Sequence, residues 1–370
     1  MKWACLRADP LPLKGEYCSI MTMYIRDNIM KNKWEESLAA LSVGQQFAYK
    51  VKDDARKDKI RRYAPLILLV IMTMIGAVSQ KDFFTWGNVV NIMYQMSIPL
   101  VISVGLTYVL LLGSIDLSIE GVMGFAGSFV AFLVVNNSNS NDFGILGILF
   151  VILISTFIGA ITGIIHVKAR IATFIVTYAV GSIMTGVAVL VYQGTPIQVK
   201  DELFVVLSQG KFIGIPYITI IAFAIFIIGA LILNYTAFGR AVYAIGDNET
   251  AAASTGINIG LTKIKVFALC GCTAGMAGIL QCIRLKLGQS SIGLNQMFPV
   301  VTAIVIGGGS LAGGKGGALS AFVGVLIYTE LANWLTLMGV DPYVKKVIQG
   351  VIIIVAVTLT INRNRKTISK

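Results

Sequence analysis

Phe143–His166 reads FGILGILFVILISTFIGAITGIIH and contains no acid, lysine or arginine. A helix needs roughly 17–25 mainly apolar residues to cross a bilayer, and this run is long enough. It is also far longer than an ordinary strand, which favours a helix. Nine further apolar segments surround it, near 63–79, 95–112, 119–136, 171–192, 213–234, 264–283, 297–309, 317–337 and 345–361. Most reach spanning length. The segment at 297–309 is short and runs into Gly307–Gly317, GGGSLAGGKGG. It is expected to be broken or re-entrant, which is tolerated at membrane depth only where protein or a wet cavity surrounds the backbone. The expected fold is therefore an all-α integral membrane protein, a polytopic bundle of about ten transmembrane helices with a broken or re-entrant segment.

Composition agrees with that class. Hydrophobic residues make up 56%, charged residues 13%, and the mean hydropathy is +0.80. Soluble domains carry about 25% charged residues. The net charge of +12 does not imply nucleic acid, because the basic residues flank apolar segments and do not form one face. Five cysteines show neither metal spacing nor a paired framework, and His166 is the single histidine. No clustered His, Cys or acidic set offers a nucleophile–base pair or a metal site. No catalytic, cofactor-binding or metal-binding residue is expected, and the chain is not read as an enzyme.

Lysine and arginine set the expected orientation. Arg56, Lys57, Lys59, Arg61 and Arg62 precede the first span. Ten crossings then leave only Lys81, Lys200, Lys211, Arg284, Lys286, Lys345 and Lys346, of 30 basic residues, outside. That bias predicts both termini in the cytoplasm. Residues 1–62 form a polar zone without a signal-peptide core, read as a cytoplasmic helix, a tail or a misassigned start. Residues 63–362 form the membrane domain, and 363–370 a basic cytoplasmic tail.

The same count places Thr236–Ile257, TAFGRAVYAIGDNETAAASTGI, on the cytoplasmic side. Asp247 or Asn248 can cap a helix there. Alanines at 251–253 favour that helix, and Gly256 supplies a left-handed stop. The helix would be about two turns long and poor in side-chain bulk, so a partner can approach its backbone closely. The plain alternative is an ordinary loop with a capped turn.

Ionisable groups are scarce in the apolar part, with Asp116, Glu120 and Glu330 the main candidates. Asp116 lies in Gly113–Gly121, GSIDLSIEG, where Ser114, Asp116 and Ser118 are also ready turn formers. Gly309–Lys315 matches seven positions of a P-loop, but Gly316 stands where a Ser or Thr should reach magnesium, and no strand precedes it. It is read as a tightly packed turn. If ATP drives this protein, a separate subunit binds it.

The ordered residues resemble the permease subunits of bacterial sugar ABC importers of the ribose, xylose and galactose type, over about 80–362. The resemblance runs through Asn88, Asn91, Gln95, Ser97, Gly105 and Ile115–Ser118, then Phe174–Thr177 and Gly186. It is densest at Phe238–Arg240, Tyr243–Gly246, Asn248, Ala251–Ala252 and Gly256–Ile257. It closes with Gly307, Gly308, Ser310, Leu311, Gly313, Gly314, Gly316, Asn333, Leu337–Gly339 and Gly350. Asn295–Val300 lacks the acid that family members often carry, Ala172–Thr173 replaces a usual proline, and Glu330 falls where relatives are apolar. These departures leave open a nucleoside or another hydroxylated solute.

The resemblance implies the following parts. Gly239, Arg240, Gly246, Asn248, Ala251, Ala252 and Gly256 would couple to an ABC ATPase, which holds ATP and magnesium; this chain holds no cofactor. An extracytoplasmic solute-binding protein would deliver solute, and a second permease copy or a paralogue would complete the path in the bacterial cytoplasmic membrane. Asn88, Asn91, Gln95, Ser97, Thr107, Asp116 and Glu330 are the path candidates, with capping and helix-to-helix bonding as their structural alternative. An ion- or proton-coupled transporter using Glu330 or Asp116 is the other class that the residues allow.

Overall fold

The computed structural model describes residues 63–360, with side chains described as far as Val351. The expectations for residues 1–62 and for the basic tail lie outside these residues.

The described chain is almost wholly helical. We number the helices α1 (Tyr63–Ser79), α2 (Trp86–Leu111), α3 (Ile119–Leu133), α4 (Gly144–Ala169), α5 (Thr173–Tyr192), α6 (Glu202–Gln209), α7 (Tyr217–Tyr235), α8 (Ala237–Asp247), α9 (Glu249–Ser254), α10 (Ile259–Leu285), α11 (Met297–Ile306), α12 (Ala318–Leu337) and α13 (Pro342–Thr360). Four two-residue strands make two small antiparallel pairs: β1 (Ile197–Gln198) with β4 (Leu287–Gly288), and β2 (Lys211–Phe212) with β3 (Ile215–Pro216). Each expected apolar segment contains a helix. Among the described residues, six are long and apolar enough to cross a membrane: α2, α4, α5, α7, α10 and α12.

The centre of the bundle is α10 with α2, α3 and α4 around it. Small residues allow this. A methyl group on Gly159 of α4 would run into the Phe267 carbonyl of α10, and one on Gly271 of α10 into the Ser155 carbonyl of α4. Close backbone approach of this kind gains dispersion contacts where lipid offers no hydrophobic drive between helices. Around this centre, α4, α5 and α7 leave Leu153, Phe157, Phe174, Ile183, Ile228 and Leu231 exposed, a surface suited to lipid or to another apolar chain.

The apolar segments at 119–136 and 297–309 hold helices well short of a span. At 1.5 Å per residue α3 is about 22 Å long and α11 about 15 Å, against the roughly 30 Å of a hydrocarbon core. The sequence led us to expect one broken segment, at 297–309; there are two. After α2 ends, residues 113–118 turn back in extended form, and α3 begins halfway along its neighbours. Gly121 lies against Gly181, near the middle of α5, and Asp116 reaches Cys270 of α10. The second break is built in the opposite sense. From β4, residues 289–296 descend along α3 by roughly 16 Å. Gly288 lies against Ala131, and Gly293 against the Glu120 carbonyl. The chain then enters α11. Each half-helix thus starts at mid-height, one running toward each end of the bundle. The order α2–break–α3 is thus answered by α10–break–α11 running in the opposite sense.

One end of the bundle carries β1, β4, the β2–β3 hairpin and the Asn136–Val199 bridge. The opposite end carries α8, α9 and the glycine-rich turn at 307–317.

Candidate functional site

The stretch Thr236–Ile257 folds as two helices, not as one capped helix in a loop. The Thr236 hydroxyl accepts from the Gly239 N–H at 3.2 Å and starts α8. Val242 and Ile245 of α8 point inward. That amphipathic spacing at 238, 242 and 245 was visible in the sequence but masked by the small residues around it. Asn248, rather than Asp247, caps α9 by accepting from the Ala251 N–H at 3.0 Å. Gly256 has φ +83°, the left-handed conformation a helix stop requires. Lys263 of α10 pairs with Glu249 at 2.9 Å and ties the short helix down.

The seven docking candidates divide by exposure. Arg240, Asn248, Ala251 and Gly256 lie on the outer surface. Ala252 is 3% exposed and faces the chain itself. Gly239 is buried against the Leu233 carbonyl, and Gly246 lies against the Leu111 carbonyl and the Gly314 N–H. The exposed surface here is therefore Arg240 and Asp247–Ala251 with Ala253–Gly256. Ala252, Gly239 and Gly246 hold it in place.

The glycine-rich turn packs under α8. The Gly314 N–H donates to the Leu111 carbonyl at 2.9 Å, and the Tyr243 hydroxyl donates to the Gly316 carbonyl at 3.0 Å. Burial raises the Tyr243 phenol above its ordinary pKa, so it remains a donor. Helix α11, not a strand, precedes the turn. The P-loop context is absent, and the close-packed turn expected from the sequence is present.

The path candidates also separate. Asn88, Asn91 and Gln95 of α2 converge on Asn333 of α12. The Asn333 Nδ2 donates to Asn88 Oδ1 at 2.8 Å, and its Oδ1 accepts from Asn91 at 3.2 Å and Gln95 at 3.4 Å. Asn333 is 1% exposed. The family resemblance included it, but the residue reading did not single out its role as the centre of this cluster; the available signal was an amide inside an apolar segment. Ser97 donates to the Met93 carbonyl and to the Thr219 hydroxyl of α7, while Thr107 donates to the Ser103 carbonyl within α2. Asp116 accepts from the Ser118 N–H at 2.8 Å and its hydroxyl at 2.6 Å, making it the turn former of the first break. Glu330 is buried in α12. Arg284 sits over the Tyr94 ring, 4.4 Å from its centroid.

Asn333→Leu removes both the donor and the acceptor on which three amides depend. Stranded polar groups cost about 1–3 kcal/mol each, less where they find other partners in a membrane bundle. The expected result is a loss of about 2 kcal/mol, read as a lower thermal unfolding midpoint of the purified chain. An unchanged midpoint would show that the cluster does not hold α2 to α12.

Among the described residues, no group of three His, Cys, Asp or Glu side chains could hold a metal ion. The candidate site is the α8–α9 end, exposed along α9, together with an interrupted bundle that buries several amides and hydroxyls.

Comparison with known proteins gives a consistent picture. Residues 88–357 match the family described as "Branched-chain amino acid transport system / permease component". The ribose import permease protein RbsC of Escherichia coli K12 is 33% identical over 296 residues, 79% of this chain and 91% of that protein. RbsC of Bacillus subtilis is 32% identical over 302 residues, 81% and 92% of the two chains. The L-arabinose ABC transporter permease protein AraH of Azospirillum brasilense is 30% identical over 301 residues, 80% and 87%. No solved structure is similar to this chain.

Proposed function

The chain belongs to the permease-component family just described, and from that premise we propose that it is the membrane subunit of an ATP-driven importer of a sugar, with pentoses the first solutes to try. It is a multi-pass membrane protein of transporter type. Similarity to ribose and L-arabinose permeases over nearly their whole length carries the choice of solute. The departures at Asn295–Val300 and Glu330 keep the exact solute a matter for assay.

In this reading the end carrying α8 and α9 faces the bacterial cytoplasm, as do both termini. An ATPase subunit grips the exposed side of α9. The opposite end, with its two strand pairs, receives solute from a soluble binding protein. A second permease copy, or a paralogue, supplies the other wall of the path. The residues favour a neutral solute. Amides and hydroxyls outnumber charges in the bundle, and a sugar needs such partners rather than fixed ions. ATP closure would move α9, and the interrupted helices at mid-height would change their exposure between the two ends.

The test is uptake of D-ribose and L-arabinose by cells carrying the complete complex. Uptake should collapse on ATP depletion and survive an uncoupler while ATP is maintained. An ATPase should co-purify with the chain from its own host. Uphill uptake by the isolated chain in liposomes, with only an ion gradient, would overturn the proposal.

A further inference from the structure

Glu120 stands where the two half-helices meet. It is the second residue of α3, and its Oε1 accepts from the N–H of Met297, the first residue of α11, at 3.1 Å. The first turn of a helix leaves N–H groups without intrahelical partners, and the Glu120 side-chain oxygen takes one of them. The contact is not isolated. Glycines bring the descending segment against α3 on the same face: a methyl on Gly293 would strike the Glu120 carbonyl, and one on Gly124 the Ser290 carbonyl. An acid placed among apolar segments is costly unless something specific holds it, and here the partner is visible.

The same bond closes a continuous chain of contacts from the docking end. Lys263 and Asn248 fix α9 to α10 and α8. Tyr243 of α8 donates to Gly316 at 3.0 Å, and Gly314 donates to Leu111 at 2.9 Å. The turn holding Gly314 and Gly316 is the direct continuation of α11, whose last turn is closed by the Gly309 N–H on the Ile304 carbonyl at 2.8 Å. Helix α11 is only ten residues long and leads from that turn to Met297. From Met297 the Glu120 carboxylate leads to α3, which ends at the opposite face beside Asn136 and its bridge to Val199. Short, interrupted helices can shift as units, while the long helices around them are held along their whole length.

We propose that Glu120 is a positioning residue for transport: its bond to the Met297 N–H links the two half-helices and transmits movement of the docking end to α3. This rests on the proposed ATP-driven import. The role needs an acceptor oxygen at the right reach, not a charge that moves.

The experiment uses the complete complex purified from its own host and reconstituted into proteoliposomes. It measures D-ribose and L-arabinose moved per ATP hydrolysed. Glu120→Ala is expected to lower that ratio at least tenfold while hydrolysis continues, with membrane level and thermal midpoint close to the original. Glu120→Gln keeps an acceptor oxygen and is expected to restore the ratio to within about twofold. An unchanged ratio in Glu120→Ala would overturn the proposal, as would uptake and hydrolysis falling in proportion. Failure of Glu120→Gln to restore the ratio would assign the effect to charge and overturn it as well. If Glu120→Ala does not insert, Glu120→Asp, one methylene too short for the Met297 N–H, is scored by the same ratio. If the original complex moves no pentose with ATP, the functional reading falls and this inference with it; the variants fail the inference alone.

Discussion

Ala251→Arg is expected to lower ATP-driven uptake at least tenfold and to strip the ATPase from the chain, with the same amount of chain in the membrane. Ala251 lies exposed in the first turn of α9, five residues before its left-handed stop at Gly256. Arginine is nearly as good a helix former as alanine, so the helix itself should survive. Its Asn248 cap and the Glu249–Lys263 pair do not involve the Ala251 side chain. What changes is the surface. A long charged side chain is placed where close approach to backbone is required, and a desolvated, unpaired charge at an interface costs well over the 1.4 kcal/mol that a tenfold loss represents. Ala252→Arg is the contrasting variant. Ala252 is buried against its own chain, so that change should lower stability first and report on docking only indirectly. Co-purification and uptake by Ala251→Arg at normal levels would place the partner contact elsewhere.

The contrast between Ala251 and Ala252 shows what the sequence carries and what it does not. Apolar length is a local property, so the helix at Phe143–His166 and its companions could be placed from composition alone. A cap is local too: the sequence offered Asp247 or Asn248, and Asn248 caps α9, with Gly256 at its stop. Which of three adjacent alanines faces inward depends on how α9 lies against the rest of the chain, and there Ala252 alone is buried. The break before α3 was hidden for a related reason. Ile115, Leu117 and Ile119 continue the apolar character of the region, so hydropathy alone does not show the return of the chain. The break needs Asp116 holding Ser118 and Gly121 closing on Gly181, contacts far apart in sequence. The sequence marked 297–309 as short, but the break lies before it, at 289–296, and the glycines at 307–317 instead form the turn packed under α8. Glu120 was visible as an acid but had no visible partner, since its partner is a backbone N–H at 297. Backbone groups have no letter in a sequence.

Gly246 tests the other half of the docking end. The sequence placed it among the residues that would meet an ATPase; in the structure it meets its own chain. A Cβ at 246 would run into the Leu111 carbonyl and stand 2.8 Å from the Gly314 nitrogen. Those two atoms are the partners of one hydrogen bond, Gly314 N–H to Leu111 O at 2.9 Å, which joins the end of α2 to the glycine-rich turn. Both belong to backbone, so neither can swing aside as the tip of a side chain could. Gly246→Val must therefore push α8 away from that junction or break the bond. Overpacking of this kind typically costs about 1–3 kcal/mol, and the stranded Leu111 carbonyl adds to it. The expected result is a loss of about 2–4 kcal/mol, measured as a lower thermal midpoint and a severalfold lower yield of folded chain, before any question of partner binding arises. Gly256→Ala is the control on the same loop. Nothing lies within 4 Å of its added methyl, and its cost is the strain of φ +83°, about 1 kcal/mol. Yield should survive that change. If Gly246→Val instead kept its yield and midpoint while losing the ATPase, the junction under α8 would not be close-packed, and Gly246 would belong to the partner surface after all.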